Sequence, residues 1–166
     1  MCSMVDGSTD RASDNDRGQD YRMSQATNAT AAQEITKRLV QDAEERLRLL
    51  PKVFGVKYMI KAESMIYQWM GVLCREYTGG YWDFYELSNG GFYMAPAARE
   101  VFKISVQGNG FTGEMSNDTA GLLATLNAVC HLANSTGKDE FVDLYYLIRD
   151  YASLRTDWMQ IRRAID

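Results

Sequence analysis

The chain is poor in the residues from which most catalytic centres are built. It has one histidine, His131, and three cysteines, Cys2, Cys74 and Cys130. The cysteines are odd in number and widely spaced, so neither a disulfide framework nor a zinc-ligand spacing emerges. A reducing, cytoplasmic setting is the expectation. No apolar run reaches the ~18 residues of a membrane span, and the N-terminus lacks the apolar stretch of a secretory signal. A dense charge of one sign is missing too. The formal net charge is −4, which argues against the basic surface of a nucleic-acid binder. It also falls short of an imitation of DNA, which carries one charge per ~1.7 Å of its axis. Neither strong direct DNA binding nor DNA mimicry is expected.

What is present suits an ordinary soluble protein. The hydrophobic fraction is 46% and the charged fraction 24%, enough at this length for one domain with a core that needs no staples. Residues 1–33 stand apart. They are rich in Ser, Thr, Asp, Asn and Gly, and carry five Asp and three Arg with little apolar to bury. Such a tail does not offset its ordering entropy, so it is predicted to be disordered, leaving 34–166 as the single domain.

From about Gln33 the pattern reads as helical. Ile35, Leu39, Ala43, Leu47 and Leu50 fall on one stripe, and Pro51 is expected to end this helix at Leu50. A second helix over about 56–76 carries Met59, Ala62, Ile66, Trp69, Met70 and Leu73 on its apolar side, and Gly79-Gly80 follows its end. Phe102, Ile104 and Val106 alternate with polar residues, Gln107-Gly108-Asn109-Gly110 turns the chain, and Phe111 to Met115 returns it. A helix over about 118–133, capped by Ser116 or Asp118, carries Leu122, Leu126, Val129 and Cys130 on its stripe. Phe141, Leu144, Tyr145, Ile148 and Ala152 mark the next. A break near 153–156 sets off a short last helix ending around Ile165.

Between these lies the most unusual stretch, Gly79-Gly80-Tyr81-Trp82-Asp83-Phe84-Tyr85-Glu86-Leu87-Ser88-Asn89-Gly90-Gly91-Phe92-Tyr93-Met94-Ala95-Pro96. Its aromatic residues favour strands, and Asn-Gly-Gly supplies a tight reversal. Two antiparallel strands follow, about 81–87 and 92–95, with Pro96 closing the second because it lacks a ladder donor. Together with the later hairpin this predicts an α+β fold. Its centre is a four-stranded antiparallel meander, flanked by two N-terminal and two or three C-terminal helices.

This stretch closely resembles the signature of the ArdB/KlcA antirestriction proteins, small bacterial proteins often carried by plasmids and other mobile elements. Tyr67-Gln68-Trp69-Met70, Phe111-Thr112-Gly113-Glu114-Met115-Ser116 and the ending Ala164-Ile165-Asp166 match as well, so the resemblance covers roughly 36–166. It implies a protein that protects incoming foreign DNA by counteracting host type I restriction-modification enzymes. The expected partner is a protein, a restriction-enzyme subunit or an associated DNA-processing machine.

The residues themselves offer no catalytic constellation. His131 neighbours Cys130 on a helix, where adjacent residues diverge by about 100° and form no dyad. Asp83 and Glu86 are three apart on a strand and project to opposite faces, so they share neither proton nor metal. Glu114, on another strand, can approach either one. A hydrolase built on these three carboxylates, and a regulatory binding module unrelated to restriction, remain the alternatives. No cofactor, metal or catalytic residue is predicted. Tyr and Trp are enriched in interface hot spots. Trp82, Asp83, Tyr85, Glu86 and Tyr93 are therefore the candidate partner-binding residues, although the rings also suit packing of the sheet. Asp166 joins them through the resemblance.

Overall fold

The computed structural model describes residues 34–97 and 101–166. The tail predicted over 1–33 lies outside them. The elements in chain order are strand β1 (Lys37–Leu39), helix α1 (Ala43–Leu73), strands β2 (Trp82–Leu87), β3 (Phe92–Pro96), β4 (Val101–Val106) and β5 (Phe111–Ser116), and helices α2 (Asn117–Thr136), α3 (Asp139–Ser153) and α4 (Trp158–Ile165). The mixed α+β class is as expected. The single four-stranded meander is not. β1, β2 and β3 form one antiparallel sheet in that order, and β4 pairs with β5 in a second, two-stranded sheet.

The added strand comes from the stretch read as the start of the first helix. Lys37, Arg38 and Leu39 pair with Leu87, Glu86 and Tyr85. A three-residue strand is too short to show a period of its own, so its apolar residues merged into the helical stripe that follows. The helix begins only at Ala43, where Asp42 accepts from the Glu45 amide at 2.9 Å. Pro51 does not end it. The chain stays helical to Phe54 and breaks at Gly55, whose φ of 68° and ψ of 157° suit only glycine. Helix then resumes and continues to Leu73. The stripe is corrected too: Leu49, Leu50 and Phe54 are buried, while Leu47 is 79% exposed.

α2 is the central element, buried along most of its length. Ser116 caps it, accepting from the Thr119 amide. The helix lies along the outer edge of β3, where the Met94 amide donates to Thr125 Oγ1. That approach needs Gly121: a Cβ there would lie 2.3 Å from Met94 O and 2.4 Å from Ala95 Cα. The helix thus covers an edge that would otherwise present unpaired backbone groups. Pro96 ends β3 as predicted.

Each hairpin turn is fastened to a later helix by its asparagine. Asn89 Nδ2 donates to Leu147 O of α3, and Asn109 Nδ2 donates to Arg163 O of α4. Gln160 of α4 also donates to Glu114 O of β5. A shared cluster gathers apolar side chains from α1 through α4, with Phe54, Phe92, Met94, Leu122, Phe141 and Ile161 among them.

Candidate functional site

The alternation of β2 divides the candidate residues between two environments. Trp82, Phe84 and Glu86 face α1. Trp82 is buried, packs edge-on against Tyr67 and Tyr77, and donates its indole N–H to the Tyr77 hydroxyl at 2.5 Å. Phe84 is buried beneath the Arg46 guanidinium, 4.3 Å from its ring centre. Glu86, half-buried, accepts from Lys52 Nζ at 2.9 Å and from the Arg38 guanidinium, which also reaches Glu45 at 2.8 Å. The hydrogen bonds from Lys52 and Arg38 hold the Glu86 carboxyl below its usual range. Arg38, Glu45, Arg48, Lys52 and Glu86 line a charged notch of about 200 Å³.

Asp83 and Tyr85 occupy the other face. Tyr85 stacks on Tyr93 at 4.8 Å, and Tyr93 stacks on Tyr151 at 5.8 Å. Lys37 Nζ stands 4.8 Å from the Tyr85 ring centre, and the Arg155 guanidinium lies 5.8 Å from that of Tyr151. Three tyrosines therefore run between two cations, and Asp118 joins the ends. Its Oδ1 accepts from Tyr93 at 2.6 Å and Lys37 at 2.7 Å, and its Oδ2 accepts from Arg155 at 2.5 Å. Burial pushes the Asp118 carboxyl up, but the hydrogen bonds from Lys37, Tyr93 and Arg155 outweigh it and leave the pKa lowered. Arg155 also grips Asp157, which accepts from Thr119 as well.

Tyr93 is thus a fully buried column member, and Trp82 a core residue. Asp83, Tyr85 and Glu86 are the members of the hairpin set that reach the surface. Asp166 ends the chain beyond α4, exposed, with Arg162 Nε at 3.3 Å. Glu114 sits exposed on β5 in the second sheet, apart from the sheet that carries Asp83 and Glu86. His131 is exposed on α2, while Cys74 and Cys130 are buried. Among the described residues no three His, Cys, Asp or Glu side chains gather to hold a metal ion, and no helix is long and apolar enough to cross a membrane.

Sequence reasoning missed two features. The local pattern marks Asp118 only as a possible helix cap; nothing local links it to Lys37 and Arg155, 81 and 37 residues away. The second is a groove of about 560 Å³ where α1 bends over β2. Leu47, Leu50, Pro51, Met59 and Ile60 line it from the helix, with Tyr81 and Phe84 opposite. Its signal was the row of apolar residues around Pro51 and Gly55, which read as buried stripe.

Mixed layers, paired charges and a surface groove describe a small α+β protein, and its class is shown by comparison. The chain belongs to the antirestriction protein family, whose sequence profile matches residues 75–166. An antirestriction protein KlcA of Escherichia coli is 42% identical over 141 residues, covering 82% of this chain and 99% of that relative. A second KlcA from the same species is 46% identical over 128 residues, covering 74% and 88%. A solved structure superposes with a TM-score of 0.75 at 43% identity, covering 81% of this chain and 96% of that one. It is described as showing, for KlcA and ArdB, a novel fold and antirestriction activity against type I DNA restriction systems in vivo but not in vitro.

Proposed function

We propose that this chain protects incoming foreign DNA by counteracting the type I restriction-modification enzymes of its host, acting in the cytoplasm through protein contacts. The observation that carries the route is how the carboxylates are used. Glu86, Asp118 and Asp157 are each gripped by Lys or Arg, whereas a DNA decoy needs rows of unneutralised charge. The same pairing opposes a general-acid role for Glu86, since a general acid needs a raised pKa and that of Glu86 is lowered by Lys52 and Arg38. The activity of the solved relatives in vivo but not in vitro fits an action that needs a further cellular component. That component is a restriction-enzyme subunit in its cellular state or an associated DNA-processing machine. Asp83, Tyr85, Glu86 and Asp166 are the contact candidates, with Trp82 and Tyr93 holding the strands beneath them.

The test is the plating efficiency of unmodified phage on cells with a type I restriction system, with and without the protein, beside a type II host. Relief confined to the type I host is the expected result. Equal relief in both hosts, or none from soluble folded protein, overturns the reading.

A further inference from the structure

We infer that β1 is a displaceable strap, and that the edge of β2 beneath it receives an extended segment of a partner protein with two adjacent cations followed by an aliphatic residue. This deepens the protein-contact reading above and rests on it. The two edges of the three-stranded sheet are guarded differently. At the β3 edge stands α2, buried along most of its length. At the β2 edge stand only the three residues of β1, the one element among the described residues with no buried side chain. Charge holds them. Lys37 pairs with Asp118, and Arg38 with Glu45 and Glu86. The two cations are 38% and 57% exposed, and exposed pairs contribute little and weaken with salt. Val40 is different: it is buried, and its amide donates to Phe84 O at 2.8 Å. It stays in place as the hinge while residues 36–39 lift away.

The strap itself shows what the edge takes. Opposite Leu87, Glu86 and Tyr85 it places a base, a second base and an aliphatic side chain. Successive residues of a strand face opposite ways, so the two bases address separate receptors. Arg38 meets Glu86 and Glu45 on the α1 side, and Lys37 meets Asp118 and the Tyr85 ring on the other. When β1 lifts, Glu45 loses its ion pair. Three carboxylates are then left with two cations, Lys52 on Glu86 and Arg155 on Asp118. The Ser88 amide, which donates to Thr36 O at 2.9 Å, also loses its acceptor. The bared edge thus combines excess negative charge with unpaired backbone groups. Adding a strand to such an edge is a recurrent mode of peptide recognition, in which main-chain hydrogen bonds give affinity and side-chain sites give specificity.

Two measurements on the full chain test this. The first is amide exchange of the wild type, which needs no variant and so decides the strap even if a variant fails to fold. By the alternation of an antiparallel ladder the Glu86 amide faces β1 and the Tyr85 amide faces β3. Glu86 should exchange about tenfold or more faster than Tyr85, and added salt should speed Glu86 alone. Equal exchange overturns the strap. The second is the fluorescence anisotropy of a labelled peptide, Glu-Ile-Thr-Lys-Arg-Leu-Val-Gln-Asp, which copies residues 34–42. Its control has Glu in place of Lys and Arg. The chain carrying Lys37→Ala with Arg38→Ala should bind the peptide about tenfold or more tighter than the wild type does, because more molecules have the edge bared. Adding Glu86→Gln should weaken that binding several-fold. Equal binding by the wild type and the double variant, or equal binding of the control peptide, overturns the proposal. So does sedimentation showing wild-type dimers that the double variant lacks, which assigns the edge to the strap of a second copy. The phage assay keeps the two readings apart. If the wild type protects and either measurement fails, the strap proposal fails alone. If the wild type gives no protection, the functional reading fails, and exchange and peptide binding still decide the strap.

Discussion

The Tyr93 hydroxyl donates to the Asp118 carboxylate across 2.6 Å, joining β3 to the first turn of α2. The same oxygen accepts from Lys37 of β1, and the other from Arg155 between α3 and α4. One carboxylate thereby fastens the edge strand, the central helix and the C-terminal helices. Asp118 also lies in the first turn of α2, where the helix dipole favours an anion.

Removing this carboxylate leaves a buried phenol without its acceptor and Arg155 with half its anionic partners. Breaking such a pair costs about 3–5 kcal/mol when fully buried. Since Asp118 and Arg155 are each 18% exposed, Asp118→Ala should cost nearer about 2–3 kcal/mol. Tyr93→Phe, which keeps the ring stack, should cost about 1 kcal/mol. Urea denaturation of both variants and of the double variant measures the coupling. A double-variant loss equal to the sum of the singles would show that the two groups act independently.

The lowered pKa values of Asp118 and Asp157 make stability depend on acid. Both groups are lower in the folded chain than in the unfolded one, where Asp titrates near about 3.9. As pH falls through that value the unfolded chain takes up protons first, so stability is lost. The urea midpoint should hold steady from neutral pH to about pH 5 and fall below about pH 4. Asp118→Asn should be less stable at neutral pH and show a shallower acid decline. An acid decline as steep as that of the wild type would assign the dependence to other carboxylates.

Gly121→Ala tests the contact of α2 with β3. The added methyl meets backbone atoms of Met94 and Ala95 well inside contact distance, and backbone cannot swing aside as a flexible side chain does. Overpacking typically costs about 1–3 kcal/mol, and this site belongs at or above the upper end. Thermal melting should show a large loss, with Gly71→Ala as the control because its Cβ would meet nothing within 4 Å. Equal melting temperatures for the two variants would mean that the helix shifts at little cost.

Substitutions in the hairpin set should divide by burial. Trp82→Ala opens the aromatic cluster with Tyr67 and Tyr77 and should cost about 3–5 kcal/mol, so lost protection there reports on folding. Glu86→Gln and Asp166→Asn alter partly or largely exposed ion pairs, each worth about 1 kcal/mol or less. If these carboxylates meet the partner, phage protection should drop several-fold in both variants while melting temperatures stay within a few degrees. Full protection by both would remove Glu86 and Asp166 from the contact surface.

The elements that sequence located correctly are those whose signals are local. The hairpin about Asn89-Gly90-Gly91, the return at Asn109-Gly110, the Ser116 cap and the break after Ser153 all rest on residues within a few positions of one another. The long stripe of α3 and the short last helix were legible for the same reason. β1 was not, because its partners lie some 50 residues away and three residues show no period. At Pro51 the steric rule was outvoted, since the turn containing Phe54 stays helical with that ring buried against Phe92 and Phe141. Among the site residues, the split of Asp83 from Glu86 across the strand was legible. Which rings would be buried was not.

The sequence by itself determined the two hairpins and the C-terminal helices, the aromatic signature that marks the family, and the absence of a dense charge of either sign. Backbone propensity and side-chain alternation act over short spans, and composition needs no structure at all. Tertiary structure decided that the strands part into two sheets, that Trp82 and Tyr93 are buried, and that Asp118 joins β1, β3 and the C-terminal helices. It also decided that Leu47 and Ile60 face a groove instead of the core. Those outcomes depend on which faces meet across dozens of residues, and burial is a property of the packed assembly, not of any one segment.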